Sequence, residues 1–301
     1  MTRSAQTQRC SEFVSRVRGV VAERIAAVGV SDEGQKIAAA LEPGKMLRTW
    51  LAARLLVGGD LSVNREAVAR ACAATEIAHT ATLCHDDVID NAAMRRSRPT
   101  VWKTLGPSEA ILLGDLLLCD AVRLILEVED GRYADLFVSK VSEVCAREAE
   151  HETRLLGHPL DVETCLRLAR GKTGPLFAFA AYVCGGSEAS LCSALEEAGY
   201  RIGTAYQLAD DLLDLTGSED VAGKTLGTDL ERGKFTLAQA ADGRRLAIEH
   251  VGRLCRSASD CLGQWPEVQR ALETFIAQEL QPVLERSGIL LPVDENPPNE
   301  T

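Results

Sequence analysis

The chain has 301 residues, 46% of them hydrophobic, and carries 44 acidic against 33 basic side chains for a formal net charge of -11. That length and apolar content support a large buried core, which excludes a disordered tail or a miniprotein. The acidic balance excludes a nucleic-acid partner, because a phosphate backbone is held by dense Lys and Arg; an anionic substrate must meet local basic clusters instead.

Aromatic residues are 4% of the chain, Ala and Leu are abundant, and β-branched runs are scarce. This favours helix over strand and predicts an all-α fold. In chain order, residues 1–10 are polar and expected to fray. Helical periodicity then runs to breaks at Gly58-Gly59, around Ser97 to Pro107, at Gly157 to Pro159, Gly171 to Pro175, Gly185-Gly186 and Gly217 to Gly233. These divide the chain into about ten helices. With no fixed repeat and no linker, 1–301 reads as a single domain whose last residues, 292–301, are rich in Pro, Asn and acid and also fray. No apolar run reaches the roughly 18 residues of a membrane span. The expectation is a soluble, cytoplasmic protein whose membrane contact, if any, is peripheral. Ten cysteines scattered from Cys10 to Cys261 without a Cys-x-x-Cys pair read as reduced, packed thiols.

Glu76 to Asp90 reads EIAHTATLCHDDVID. On a helix, His79, Thr82, Asp86 and Asp90 share a face within about 60°. Carboxylates spaced i, i+4 repel one another, and Asp is a mediocre helix former, so a bound cation would reverse the sign of that local cost. Hard oxygen donors suit Mg²⁺, which takes one or two carboxylates and completes its shell with water and phosphate oxygens. Alone, the cluster reads more readily as a solvated acidic helix end. Arg95, Arg96 and Arg98 follow directly in NAAMRRSRPTVW. Guanidinium forks fit phosphate bidentately, and acid beside base makes sense with a metal and a polyphosphate between them.

Glu196 to Thr216, EEAGYRIGTAYQLADDLLDLT, repeats the Asp-Asp-x-x-Asp spacing. Its apolar stripe of Ala198, Ile202, Ala205, Ala209 and Leu212 marks a core helix, with Gln207, Asp210 and Asp214 on another face. Beyond it, Lys224 and Lys234 offer point charges for a phosphate tail. Neither the segment Gly217 to Thr225 nor Gly171-Lys172-Thr173 has the first Gly of a nucleotide-binding Walker loop.

The two motifs HTATLCHDDVIDNAAMRRSRPT and YQLADDLLDLTGSEDVAGKTLGTDLERGK, together with GKMLR at 44–48 and GKTGPLF at 171–177, closely resemble the trans-isoprenyl diphosphate (polyprenyl) synthase family. The resemblance runs in order from about residue 40 to 236. It implies an isoprenoid synthase-type helical bundle around a central cavity, a homodimer, and sequential 1'-4 condensation of isopentenyl diphosphate with an allylic diphosphate. By the same resemblance Asp86, Asp90 and Asp210 bind Mg²⁺, as three ions, with Asp87 and Asp214 nearby or through water. Arg95, Lys172 and Lys224 hold the allylic diphosphate; Lys45, Arg48, His79 and Arg96 hold isopentenyl diphosphate, with Lys234 assisting. Thr173 and Gln207 steady the carbocation.

Two departures stand out. The family usually has Gly-Lys-Arg-x-Arg-Pro where this chain has Gly44-Lys45-Met46-Leu47-Arg48-Thr49, which implies a weakened isopentenyl subsite. The stretch after Lys234 is also short, as if one or two helices before Leu262 were missing. Thr82, Ala81 and Ala78, one and two turns before Asp86, are small, which suggests products of geranylgeranyl length or longer, unless Leu113, Leu116 or Leu117 forms the floor. The main rival is a helical di-iron carboxylate protein, since Glu76-x-x-His79 and Glu148-x-x-His151 have the required spacing, with His151 expected at the surface. A terpene cyclase on the same fold would usually carry Asn, Ser and Glu where this chain has Asp210, Asp211 and Asp214.

Overall fold

In the computed structural model the described residues are 2–28, 41, 44–128, 131–217 and 232–291. The helices are α1 (Arg3–Val28), α2 (Leu47–Gly58), α3 (Arg65–Ile89), α4 (Val101–Leu105), α5 (Pro107–Leu126), α6 (Gly131–Glu150), α7 (Val162–Tyr182), α8 (Ala189–Thr216), α9 (Gly243–Asp260), α10 (Pro266–Phe275) and α11 (Gln281–Leu284). Their starts carry local signals. Asn64 Oδ1 accepts the N–H groups of Glu66 and Ala67 at 3.1 Å to cap α3, and Asp161 Oδ1 accepts that of Thr164 at 2.7 Å to cap α7. Pro107 and Pro266 open α5 and α10, where a missing N–H costs nothing.

Helix α3 packs against α5, α7 lies between α6 and α8, α9 runs along α8, α10 seats on α2, and α1 crosses α2 and α3. Apolar side chains from all of these join one buried cluster. The expected stripe on α8, from Ala198 to Leu212, is fully buried in it. All ten cysteines are free thiols, most of them buried.

The all-α expectation holds, with one small addition: Met94–Arg95 (β1) and Arg98–Pro99 (β2) pair antiparallel as a minimal hairpin. Three expectations are corrected. Residues 3–10 are not frayed but form the first turns of α1, and the Cys10 thiol is buried, donating to the Ala53 carbonyl. His151 is not at the surface; it is 7% exposed, because a π turn over His151–Leu155 rotates this stretch inwards at the end of α6. Gly171 to Pro175 does not break the helix, since α7 runs through it.

The last point has a packing cause. A Cβ on Gly203 would come within 2.7 Å of the Gly174 Cα, and one on Gly199 within 2.6 Å of the Ala178 Cα. These glycines let the α7 and α8 backbones touch, and burial of both helices outweighs the lost hydrogen bond at Pro175. After Lys234, where the sequence is short, the chain passes through a 3₁₀ turn at Leu237–Gln239 directly into α9. Gly243 fits there because an added Cβ would lie 2.4 Å from the Leu237 and Ala238 carbonyl oxygens.

Candidate active site

Helix α3 ends on Asp90, its C-cap, and Asn91 follows in the left-handed region at φ 52°. Asp86, Asp87 and Asp90 thus gather where the helix dipole is already negative, which is unfavourable unless cations answer. Several do. Asp87, 5% exposed, accepts Arg95 Nε at 2.8 Å and Nη2 at 2.7 Å on Oδ1. Asp90 Oδ1 accepts Lys234 Nζ at 2.9 Å and also Arg232 Nη1. The Lys234 side chain, 1% exposed, lies 2.8 Å from Glu148 Oε1 and 2.7 Å from Glu152 Oε1. Lys172 stands 3.2 Å from Glu148 Oε2, and Arg232 Nη2 is 2.6 Å from Glu152 Oε2.

The balance of charge differs from one carboxylate to the next. Burial, with Glu148 and Asp90 close by, pushes Asp86 up to about 6 against the pull of Lys172 and Lys234. Glu148 is also buried, yet Lys172 and Lys234 outweigh that and bring it down to about 2. Asp86, unlike Glu148, is therefore left short of positive charge and would gain from a further cation. Among the described residues no three His, Cys, Asp or Glu side chains converge closely enough to hold an ion unaided. A hard cation such as Mg²⁺, which needs one or two carboxylates and shares the rest of its shell with phosphate, fits this donor set.

A second cluster has the opposite sign. Arg96 and Ser97, at φ 53° and 59°, form the two-residue turn between β1 and β2, a primed turn that non-glycine residues adopt at a cost. The turn sends Arg95 back to α3 while the Arg96 guanidinium crosses Gly44, where an added Cβ would lie 2.5 Å from Nη2. Arg48 is 8% exposed; its Nη2 lies 3.4 Å from His79 Nδ1, its guanidinium is 5.0 Å from the Phe177 ring centroid, and its buried Nε has no hydrogen-bond partner. Burial and then Arg48, Arg96 and Arg95 push the His79 imidazole well below its usual range, so it is neutral. Lys45 is lowered by burial and by Arg286 and Arg96, against the opposing pull of Asp210. Met46, at the position where the resemblance implies a base, is buried in the core. Crowded cations lowering one another call for an anion.

The close crossing of α7 and α8 brings Thr173 to Gln207. The Thr173 hydroxyl donates to Gln207 Oε1, and Gln207 Nε2 donates to Asp211 Oδ1 at 2.7 Å. The charge of Asp210 acts on both Arg95 and Lys45, so the second motif faces the first across the cation cluster. Asp214 is half-buried one turn beyond Asp210. A small cleft of about 30 Å³ opens here, lined among others by Glu148, His151, Lys172, Gln207, Asp211 and Lys234. Lys224 lies outside the described residues. Behind the hairpin, Trp102 Nε1 donates to the Ala92 carbonyl at 2.7 Å, and the Thr100 hydroxyl does so at 2.9 Å.

Sequence reasoning missed Glu152, Arg232 and Arg286, and gave Glu148 only a rival's role. Glu148 and Glu152 stand i, i+4 on a charged helix, a spacing that in the sequence has no visible tie to Asp86 and Asp90. The di-iron arrangement is not favoured: Glu76 is buried and accepts the Thr49 hydroxyl at 2.9 Å and its N–H at 3.3 Å, while Glu148 is held by two lysines. Of the residues considered for a cavity floor, Thr82 is half-buried on the face of Asp86, Ala78, Ala81, Leu113 and Leu117 are in the core, and Leu116 faces outwards.

An all-helical bundle with crowded carboxylates at the end of one helix and crowded guanidinium groups beside them is an isoprenoid synthase-type fold. The chain belongs to the polyprenyl synthetase family, whose model matches residues 35–246. It is 38% identical over 214 residues to a geranylgeranyl diphosphate synthase of Mycobacterium tuberculosis, covering 67% of this chain and 59% of that one. It is 34% identical over 205 residues to a geranylgeranyl diphosphate synthase of Methanosarcina mazei, covering 64% and 62%. The matches thus span about three fifths of these relatives' length. Among solved structures, a polyprenyl synthase from Caulobacter crescentus complexed with calcium and isoprenyl diphosphate superposes with a TM-score of 0.76 at 24% identity, covering 93% of this chain and 96% of that one. A geranyltranstransferase from Thermotoga maritima gives 0.73 at 26% identity, covering 93% and 99%.

Proposed function

We propose that the chain is a trans-prenyltransferase that condenses isopentenyl diphosphate with an allylic diphosphate in 1'-4 fashion, giving a product of geranylgeranyl length or longer. The observation that carries this reading is the pairing of opposite excesses. Asp86 is short of a cation, while the largely buried Arg48 has an unsatisfied Nε among Lys45, Arg96 and neutral His79.

In this reading Arg95, Lys172 and Lys224 grip the allylic diphosphate, with Lys234 assisting, beside Asp86, Asp90, Asp210 and Asp214. Asp87 holds Arg95 at its station. Mg²⁺, as three ions bound with the substrate, supplies Lewis-acid charge to the departing diphosphate. Lys45, Arg48, Arg96 and His79 seat isopentenyl diphosphate so that its double bond meets the allylic carbon. Because the Thr173 hydroxyl directs its O–H at Gln207 Oε1 as a hydrogen bond, its oxygen lone pairs are left to face the developing cation, and Asp211 fixes the Gln207 amide in turn. Proton loss to the released diphosphate restores the alkene, so no side-chain base is required.

The same reading includes a homodimer and a cytoplasmic location with at most peripheral membrane contact. It is supported by free thiols, by the lack of any described helix long and apolar enough to cross a membrane, and by exposed apolar side chains on α5. The decisive experiment incubates the purified protein with radiolabelled isopentenyl diphosphate and allylic primers of several lengths, with Mg²⁺ or with EDTA. Label should enter a prenyl product only with Mg²⁺, and chromatography then gives its length. No product from any primer would overturn the proposal.

A further inference from the structure

Arg232 has no role in the proposed chemistry, yet it is built into the acidic cluster from two sides. Its guanidinium takes Asp90 Oδ1 with one nitrogen and Glu152 Oε2 with the other at 2.6 Å. Its backbone is fixed as well: the neighbouring Gly233, at φ 74°, accepts the Gly157 N–H at 2.8 Å, tying it to the loop beyond the π turn that carries Glu152. Lys234, two residues on, reaches the same Asp90 oxygen at 2.9 Å. One carboxylate oxygen therefore serves two cations.

A divalent ion that takes Asp90 meets both of them. Arriving alone, it must compete with Arg232 and Lys234 and stay close to their charge. Arriving with a diphosphate, it brings the acceptor oxygens to which a guanidinium and an ammonium can transfer. We propose that Arg232 makes divalent-ion binding at Asp90 conditional on diphosphate. This rests on reading the site as a diphosphate site. By linkage, whatever Arg232 adds to the effect of diphosphate on the ion it adds equally to the effect of the ion on diphosphate.

The test titrates Mn²⁺, followed by electron paramagnetic resonance, into the wild type, Arg232→Met and Arg232→Lys, each with and without inorganic pyrophosphate. Removing a unit charge next to a divalent ion should make Arg232→Met bind Mn²⁺ alone about fivefold more tightly than wild type. The factor by which pyrophosphate strengthens Mn²⁺ binding should fall by about the same amount or more. Arg232→Lys keeps the charge but cannot span Asp90 and Glu152 together, and should lie between. Unchanged or weaker Mn²⁺ binding by Arg232→Met, or an unchanged pyrophosphate factor, overturns the inference. If that variant does not fold, as judged by circular dichroism, Arg232→Lys decides: a pyrophosphate factor equal to that of wild type overturns it. If pyrophosphate leaves Mn²⁺ binding by the wild type unaltered, the diphosphate site fails and this inference with it.

Discussion

Glu148 separates charge that stabilises the fold from charge that waits for a ligand. Its carboxyl sits near 2 in the folded chain against 4.5 unperturbed, because Lys172 and Lys234 outweigh its burial. A depressed carboxylate adds stability that is complete above its unfolded value and is lost as pH falls from there through about 2. Glu148→Gln should therefore be less stable than wild type at pH 7, by on the order of 2 kcal/mol, with the gap closing below pH 4.5 in denaturant melts. Gly44 gives a test on the opposite cluster. A methyl there displaces the Arg96 guanidinium, a flexible end that moves at little cost to the fold. Gly44→Ala should melt near wild type but raise KM for isopentenyl diphosphate about tenfold, with kcat less affected. The aspartates, Lys172 and the arginine pair were legible because their spacing is the motif. Glu152 and Arg232 were not, since a residue that completes a site from 62 or 142 positions away in sequence from Asp90 carries no local signal.

At the scale of elements, glycine misled where it served contact. Gly171 to Pro175 has the composition of a break, yet α7 continues because Gly174 and Gly203 let two helix backbones meet. That crossing brings Thr173 to Gln207, so a change in helix separation would reach the chemistry directly. Gly203→Ala should force α7 and α8 apart at the Gly174 Cα and cost about 2 kcal/mol, with a lowered melting temperature and a lowered kcat. The long helices themselves were legible from periodicity, and the breaks at Gly58-Gly59 and Gly185-Gly186 fall where α2 and the turn after α7 end. The π turn at His151–Leu155 was not, because its extra residue per turn is set by packing and no residue type announces it. Nor was the hairpin, whose turn uses Arg96 and Ser97 in place of the expected Asn or Gly.

At the scale of the whole molecule, the outer face of α5 exposes several large apolar side chains. Leu112 is 62% and Leu116 49% exposed, one turn apart, with Ile111 beside them and Val138 on α6 also exposed. A face of this kind is what the homodimer would bury. Sedimentation of the wild type should report a dimer at micromolar concentration, and Leu112→Asp with Leu116→Asp should shift it to monomer while far-ultraviolet dichroism is retained. A monomeric wild type would remove the homodimer from the proposal. The all-α class could be read from composition and period alone, whereas the outward turn of Leu116, weighed as a possible cavity floor, needed the packing of α5 on α3 to be seen.

The hydrogen bond from Trp102 to the Ala92 carbonyl gives the protein an optical reporter of its own. The indole is fastened to the chain between Asp90 and Arg95, so any ligand that draws on both residues must alter its surroundings. The other two indoles stand elsewhere, Trp50 on α2 beside Arg54 and Trp265 bonded to Glu188. A variant with Trp50→Phe and Trp265→Phe would emit from this one position, and its fluorescence would follow occupancy of the site in real time without a labelled substrate.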